Sequence, residues 1–194
     1  MERFYITEIS DELFARMYGK SFKTDCTIPR EDLRYVHVLY RGFDGDVQEG
    51  ELVVNRLIAD KTVEIFKELF EINYPLERVQ LIDDFDADDE ASMTANNCSA
   101  FNFRKISYSN KLSNHAKGMA IDINPLYNPY VKMVDDFLSI EPAASAEYVD
   151  RSKAFPYKID HEDPCYKIFM KHGFSWGGDW ENRKDYQHFE YVVE

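Results

Sequence analysis

The sequence predicts one α+β domain, with a mainly antiparallel sheet flanked by helices. Three observations predict this class. The 194 residues are enough for one core, since soluble domains contain on the order of 100–200 residues. Segments with apolar residues at helical spacing are interleaved with segments in which apolar and polar residues alternate, as they do in strands. Short glycine-containing connections between the strands favour hairpins, which join antiparallel neighbours.

The N-terminal part begins with a short helix and a pair of strands. Apolar residues at helical spacing predict a helix over residues 8–18, and Ser10 is suited to cap its N-terminus. Residues 33–40 are rich in β-branched and aromatic side chains, which is typical of a strand. Glycines then predict a turn before a second strand at residues 51–55.

The longest predicted helix covers residues 56–73, where apolar positions keep helical spacing until Pro75 ends the pattern. A strand is predicted at residues 79–82. The acidic and polar stretch that follows, up to about residue 100, is predicted to be a long loop. Its acidic run at residues 83–90 lacks the glycine and glutamate of a calcium-binding loop.

The C-terminal part is predicted to contain two further helices and a last strand. Residues 128–140 are interpreted as a helix, and residues 141–160 as an irregular insert. A short helix at residues 164–172 ends at Gly173. Alternation of apolar and polar residues predicts a strand over residues 188–193.

Composition excludes several classes of function. The chain has 23 Lys and Arg against 36 Asp and Glu, a formal charge of −13. It therefore lacks the excess of basic residues that non-specific binding to nucleic acids or anionic membranes requires. Its three cysteines form no close pair, which argues against a disulfide framework or a thiolate zinc site. No apolar run in the chain as given suits a signal peptide or a membrane span.

The segment 113–123 is the most informative part of the sequence. Every second residue from 119 to 123 is apolar, as in a strand with one face in the core. The other face carries Gly118, Ala120 and Asp122, so small residues leave an open cleft beside a carboxylate. His115 lies just ahead, and Gly118 permits the sharp turn that brings a loop histidine and a strand aspartate together.

A second motif lies near the C-terminus. His188 and Glu190 share one face of the last predicted strand, and antiparallel pairing with the strand of Asp122 would put His188 into the same cleft. His115, Asp122 and His188 would then make a set of two histidines and one carboxylate with an open fourth position, which is typical of a catalytic zinc site. Asp185 precedes His188 by three residues, near enough to take a proton from a metal-bound water.

These motifs resemble one family of zinc peptidases. The pattern of the first motif, followed by Asp185-x-x-His188, is similar to the D-alanyl-D-alanine carboxypeptidases and L-alanoyl-D-glutamate endopeptidases, which are related to the Hedgehog-type fold. The first pattern reads Ser113-x-His115-x-x-Gly118-x-Ala120-x-Asp122. The resemblance implies a single zinc peptidase domain of Hedgehog/DD-peptidase-like fold, with an N-terminal helix-strand-helix part at residues 1–80 and a metal-site core at residues 99–194.

The resemblance also implies a role for each candidate residue. The Zn²⁺ ligands that it implies are His115, Asp122 and His188. Asp185 matches the general base, which returns its proton to the leaving amine. Arg104 matches an arginine near the metal, whose planar fork binds a substrate carboxylate or stabilises an oxyanion. Ser113 matches a residue that contacts the substrate.

The implied partner is a peptidoglycan stem peptide or another short peptide that contains D-amino acids. The bond is of the D-Ala-D-Ala carboxypeptidase type or the L-Ala-D-Glu endopeptidase type. Many carboxypeptidases and dipeptidases of the family have Glu where this chain has Asp185, and the Asp form is similar to the endopeptidase branch. Both bonds therefore stay open. Such a substrate implies a location in the cell envelope or outside the cell.

Two other interpretations compete with a zinc peptidase. A module of the same fold could keep the metal site and recognise peptide or cell wall without hydrolysis, although the presence of both Asp185 and Arg104 disfavours this. Cys98 could form a cysteine-peptidase triad with two of the proposed ligands, but the C-terminal motif would then have no role. Trp176 and Trp180 are interpreted as a packed turn, with an aromatic wall for the substrate as the alternative.

Overall fold

A computed structural model describes residues 3–106 and 109–193 of the chain. The strands in these ranges are β1 (Tyr5–Glu8), β2 (Leu33–Arg41), β3 (Val47–Asn55), β4 (Arg78–Val79), β5 (Asn97–Cys98), β6 (Ala120–Asp122), β7 (Tyr130–Val134), β8 (Phe137–Glu141), β9 (Ser175–Trp176), β10 (Lys184–Asp185) and β11 (His188–Glu190). The α-helices are α1 (Asp11–Met17), α2 (Ala59–Glu71), α3 (Asp89–Thr94) and α4 (Pro164–Lys171). Short 3₁₀ turns connect several of them.

Strands β1, β2 and β3 form an antiparallel sheet with β2 at its centre. The predicted pair of strands with a glycine turn is confirmed, but β3 begins at Val47 rather than at residue 51. The turn needs only residues 42–46, where Gly45 adopts φ +84. Gly50 lies inside β3 and not in the turn. Its glycine is explained by packing, because a Cβ at this position would come within 2.8 Å of the Val79 side chain.

Both predicted N-terminal helices are present. The Ser10 hydroxyl caps α1 by accepting from the Leu13 amide at 3.1 Å, as the sequence predicts. Helix α2 is shorter than the predicted 56–73, because the Asn55 side chain accepts from the Leu57 amide at 3.1 Å and holds the preceding residues in a turn. The buried face of α2 packs on β2, so helix and sheet share a core.

The acidic stretch after β4 contains regular structure, so the prediction of one long loop is wrong. It forms a 3₁₀ turn at Ile82–Phe85, then α3, then β5, which pairs in parallel with β4. The predicted strand at residues 79–82 is reduced to β4. Side-chain hydrogen bonds explain the difference: the Asp88 carboxylate caps α3, and buried Asp83 accepts from the amide and hydroxyl of Ser21. Apolar periodicity carries no signal of such contacts.

The predicted helix at residues 128–140 is also wrong, because this segment forms the antiparallel hairpin β7–β8. Asp135, at φ +52, and Asp136 form its two-residue turn, and a left-handed residue cannot lie inside a right-handed helix. The free edge of β7 pairs with β10, which puts Asp185 opposite Tyr130. The hairpin therefore supports the strand that carries the predicted general base.

The C-terminal elements match the prediction more closely. Helix α4 ends before Gly173, which adopts φ +85, and the insert at residues 141–160 is irregular apart from a 3₁₀ stretch at Ala143–Tyr148. Strand β11 is shorter than the predicted 188–193. It lies between β6 and β9 and is antiparallel to both. The chain thus forms the pairing on which the predicted site depends.

One core joins the N-terminal and C-terminal halves of the chain. Buried side chains of β2, β3 and α2 cluster with those of β6, α4 and β11. The largest fully buried ones include Phe66, Ile121, Phe169 and Phe189. Among the described strands the paired elements are antiparallel except β4 and β5, and the fold belongs to the predicted α+β class. In the described residues no helix combines the length and hydrophobicity needed to span a membrane.

Candidate metal centre

Two strands and one turn bring the predicted ligands together. In the register of β6 and β11, Asp122 lies opposite His188, so the antiparallel placement predicted for the last strand is confirmed. His115 begins a 3₁₀ turn that ends at Gly118, which adopts φ +68. A Cβ at Gly118 would lie 2.6 Å from the Asn55 nitrogen. The turn can approach β3 this closely only because residue 118 is glycine.

The side chains of His115, Asp122 and His188 converge in the interior, where the residues are 3%, 6% and 4% exposed. His115 Nε2 lies 3.1 Å from Asp122 Oδ1 and 3.0 Å from His188 Nδ1. His188 Nδ1 lies 3.1 Å from the same Asp122 oxygen. Donor atoms around a tetrahedral zinc ion with bonds of about 2.0–2.1 Å are roughly 3.3 Å apart. The three donors therefore fit a metal ion in number, type and spacing.

The outer nitrogen of each imidazole has its own hydrogen-bond partner. His115 Nδ1 lies 2.6 Å from the Ala100 carbonyl oxygen, and His188 Nε2 lies 3.0 Å from Glu190 Oε2. Asn114 donates its side-chain amide to the same Glu190 oxygen at 2.6 Å. Because both acceptors take an N–H, each ring keeps a lone pair on the nitrogen that faces the other donors.

The electrostatics of the cluster favour a cation at its centre. Burial alone would raise the pKa of Asp122, but the charge and hydrogen bonds of His115 and His188 hold it well below its ordinary value. Burial lowers the pKa of His188, yet its hydrogen bonds to Asp122 and Glu190 and the charge of Asp185 raise it to about 10. The acidic groups thus make the site attract positive charge, which a proton or a metal ion can supply.

All six predicted site residues line one cavity of about 150 Å³. The six are Arg104, Ser113, His115, Asp122, Asp185 and His188. They come from separate parts of the chain, and the β6–β11 and β7–β10 pairings bring them together.

Asp185 is a half-buried carboxylate that lines the same cavity as the three donors. Its backbone approaches Gly177 so closely that a Cβ there would lie 2.6 Å from the Asp185 carbonyl oxygen. Its Oδ1 atom is buried and makes no hydrogen bond among the described residues. Burial and the charge of Asp122 raise the pKa of Asp185 to about 7, although the charges of His188 and Arg104 oppose the shift. A carboxylate with this pKa is suited to exchange protons near neutrality.

Arg104 and Ser113 each have a protein partner in addition to the cavity. Arg104 Nε forms an ion pair with the Asp89 carboxylate at the start of α3. Ser113 is buried, and its hydroxyl accepts from the His115 amide at 3.2 Å. That contact stabilises the turn that presents His115. The substrate contacts implied for both residues by the family resemblance remain predictions.

The two tryptophans have different environments. Trp176 is buried, and its ring N–H donates to the Tyr186 carbonyl at 2.9 Å, as in the packed turn favoured by the sequence. Trp180 lines the cavity, with its ring centroid 5.3 Å from that of His188. The alternative of an aromatic wall therefore suits Trp180 alone.

The sequence indicated no site role for several polar residues that line the cavity. Three of them are Arg183, Gln187 and Glu190. Glu190 had a usable signal, because it shares a strand face with His188. Arg183 stands two residues before Asp185, which is the spacing of neighbours on one face of an extended strand.

The geometry argues against a cysteine nucleophile. Cys98 is fully buried, and its sulfur accepts from the Asn124 amide at 3.4 Å. Burial raises the pKa of the Cys98 thiol to about 12. A thiol in this state lacks the thiolate character that a cysteine peptidase requires.

A buried set of two imidazoles and one carboxylate, with a second carboxylate in the same open cavity, is the arrangement typical of mononuclear metallohydrolases. The family model described as D-alanyl-D-alanine carboxypeptidase matches residues 107–191 of this chain. The match spans the three donors, Ser113 and Asp185 but not Arg104. Over this segment it confirms the resemblance to the D-alanyl-D-alanine carboxypeptidases. It supports a peptidase of the D-alanyl-D-alanine carboxypeptidase kind. Searches of curated proteins and of solved structures each gave no match.

Proposed function

We propose that this protein is a zinc peptidase that hydrolyses bonds in bacterial peptidoglycan stem peptides. The observation that carries the proposal is the triangle of His115, Asp122 and His188 donors, 3.0–3.1 Å apart, with Asp185 in the same cavity. The family match over residues 107–191 supports the reaction class. We further propose a Hedgehog/DD-peptidase-like fold and a site of action in the cell envelope or outside the cell.

In this proposal His115 holds zinc through Nε2, Asp122 through a carboxylate oxygen and His188 through Nδ1. The bound ion would supply Lewis-acid activation of water and of the peptide carbonyl. The remaining steps belong to the side chains around it. The hydrogen bonds from His115 to Ala100 and from His188 to Glu190 orient the rings for that purpose.

Asp185 takes a proton from the attacking water and passes it to the nitrogen of the leaving amine. Its Oδ1 atom has no partner among the described residues, so it is available for this transfer. Arg104 stabilises the negative charge that develops on the carbonyl oxygen, or binds a substrate carboxylate. Ser113 contacts the substrate from the turn that carries His115.

Two bonds remain candidates, D-Ala-D-Ala at the end of the stem peptide and L-Ala-D-Glu within it. The test is to incubate the purified protein with a synthetic stem pentapeptide and to measure fragment masses with and without a chelator. Loss of the terminal D-Ala identifies a carboxypeptidase, and cleavage after L-Ala identifies an endopeptidase. Bound zinc with neither product would contradict the proposal and favour a non-hydrolytic recognition module of the same fold.

A further inference from the structure

Alternate residues of the segment that contains β10 face the cavity. Arg183, Asp185 and Gln187 all line it, and each has one buried side-chain atom with no hydrogen-bond partner among the described residues. The residues between them turn away: Lys184 Nζ donates to the Gly178 carbonyl at 3.0 Å, and the Tyr186 ring packs near Trp176. One strand face therefore presents three unsatisfied polar groups, of which the proposed mechanism uses only Asp185.

Arg183 forms no direct ion pair in the described part of the chain, although the carboxylate of Asp185 lines the same cavity. Its guanidinium carbon lies 4.1 Å from the centroid of the Trp180 ring. Stacking on an aromatic face leaves the N–H groups at the edge of the guanidinium free. A partly buried charge without a partner is costly, so this geometry is suited to a ligand that carries the opposite charge.

The other arginine of the cavity is in a different state. Arg104 is already ion-paired with Asp89, and the two side chains are 24% and 29% exposed. A substrate carboxylate at Arg104 would compete with that pair. At Arg183 it would meet a guanidinium whose Nε has no partner among the described residues, and Arg–carboxylate pairs are often bidentate.

Both candidate substrates carry a carboxylate in a corresponding place. In D-Ala-D-Ala the residue after the scissile bond ends in a free carboxylate. In L-Ala-D-Glu the residue after the scissile bond has two carboxyl groups, and continuation of the chain uses only one of them. Positions 183 and 185 are about 7 Å apart along an extended strand. One face of the cavity can therefore contact the leaving residue at its carboxylate through Arg183 and at its amine through Asp185.

We propose that Arg183, stacked on Trp180, binds the free carboxylate of the residue that follows the scissile bond and thereby selects peptides with an acidic leaving residue. The inference rests on the proposed function, and it identifies the residue that recognises the substrate carboxylate. Arg183 is a specificity residue in this account, whereas Asp185 transfers the proton.

The test compares peptide acids with their amides. Two pairs serve as probes: acetyl-D-Ala-D-Ala with its C-terminal amide, and the γ-methylamide of acetyl-L-Ala-D-Glu with its α-amide, so that the members of each pair differ in their one free carboxylate. Calorimetry measures their affinities for the zinc-loaded Asp185→Asn protein, so binding is read without turnover. The same titrations follow Arg183→Met and Arg183→Lys in that background. Lys184→Met is the matched control, because it removes one positive charge from the adjacent position on the opposite strand face.

We expect the parent to prefer the acid of its cognate pair by about 10- to 100-fold, the range of charge-assisted hydrogen bonds. Arg183→Met should lose this preference and bind both probes as weakly as the parent binds the amide. Arg183→Lys should keep part of it, and Lys184→Met all of it. Because acid and amide are compared in the same protein, a general loss of folding would weaken both and leave their ratio unchanged.

Two results would overturn the inference. If the native enzyme cleaves stem peptide but Arg183→Met keeps the acid preference, the proposed function stands and the carboxylate is bound elsewhere. If the zinc-loaded parent binds neither pair and the native protein cleaves no stem peptide, the proposed function fails and this inference fails with it.

Discussion

At the scale of single residues, the orientation of His188 depends on Glu190. The carboxylate accepts from His188 Nε2 at 3.0 Å and from the Asn114 amide at 2.6 Å, so it is held on both sides. This contact leaves Nδ1 of His188 as the nitrogen that faces His115 and Asp122. A carboxylate behind a ligating histidine fixes its tautomer and increases its basicity.

We predict that Glu190→Gln weakens zinc affinity by about 10- to 100-fold, because the substitution removes the charge behind His188 while keeping the side-chain shape. Competition with a chromophoric chelator measures the change. Glu49→Gln, at an exposed position of β3, is the control and should leave the affinity unaltered. Equal affinities for Glu190→Gln and the native protein would show that Glu190 does not support the ligand.

Single residues of the site were predictable to different degrees. His115, Asp122 and His188 stand in spaced motifs whose residue types already indicate a metal site, and the structure brings the three together. An ion pair of Arg104 with a structural acid is an open alternative in so acidic a sequence, but its partner Asp89 could not be predicted, because Asp89 lies in a stretch that was interpreted as a loop. The stacking of Arg183 on Trp180 depends on side-chain rotamers, which sequence patterns do not specify.

At the scale of elements, the turn after His115 depends on Gly118. We predict that Gly118→Ala lowers the free energy of unfolding by about 2 kcal/mol more than Gly19→Ala does. Both glycines have positive φ, +68 and +85, but a Cβ at Gly19 would meet nothing within 4 Å. The difference therefore measures the clash with the Asn55 backbone. Urea unfolding provides both values, and equal losses would contradict the close approach.

Helix α4 gives a second prediction at this scale. Asp163 caps it by accepting from the Cys165 amide at 2.8 Å, and it also accepts from the Tyr74 hydroxyl at 3.1 Å. Burial raises the pKa of Asp163 from 3.8 to about 6. Because the folded state holds this proton more tightly, the stabilisation is present below about pH 4 and is lost as pH rises to about 6.

Asp163→Asn keeps a capping side chain but does not titrate. The stability of this variant relative to the native protein should therefore rise by about 1–3 kcal/mol between pH 4 and pH 7. Denaturant unfolding at several pH values measures the difference. Asp88→Asn, at the exposed cap of α3, is the matched control and should show a smaller change. A flat difference for Asp163→Asn would contradict the raised pKa of the Asp163 carboxyl group.

Elements with strong local signals were predicted well. Helices α1, α2 and α4 follow apolar spacing with capping residues or stop signals, and the β2–β3 hairpin follows its glycine turn. The segment at residues 128–140 was misinterpreted because its hairpin depends on pairing with β10, which is distant in sequence. Tertiary pairing of this kind overrides short-range patterns.

At the scale of the whole molecule, the shared core couples the metal centre to folding. Side chains from both halves of the chain pack in one cluster, so we predict a single thermal transition. Zinc at about 100 times its dissociation constant should stabilise the fold by about 2.7 kcal/mol, or roughly 5–10 °C for a domain of this size. Calorimetry with and without chelator measures the shift. Two transitions, of which zinc moves only one, would contradict a shared core.

The most direct test of the central claim, that three residues hold zinc while Asp185 performs the proton transfer, is to measure zinc content and stem-peptide turnover in parallel. The native protein, Asp185→Asn and His188→Ala are compared. We predict one zinc per chain and turnover in the native protein. Asp185→Asn should keep the zinc but lose about 10²- to 10⁴-fold in turnover, and His188→Ala should lose both. Full zinc content in His188→Ala, or undiminished turnover in Asp185→Asn, would contradict the account.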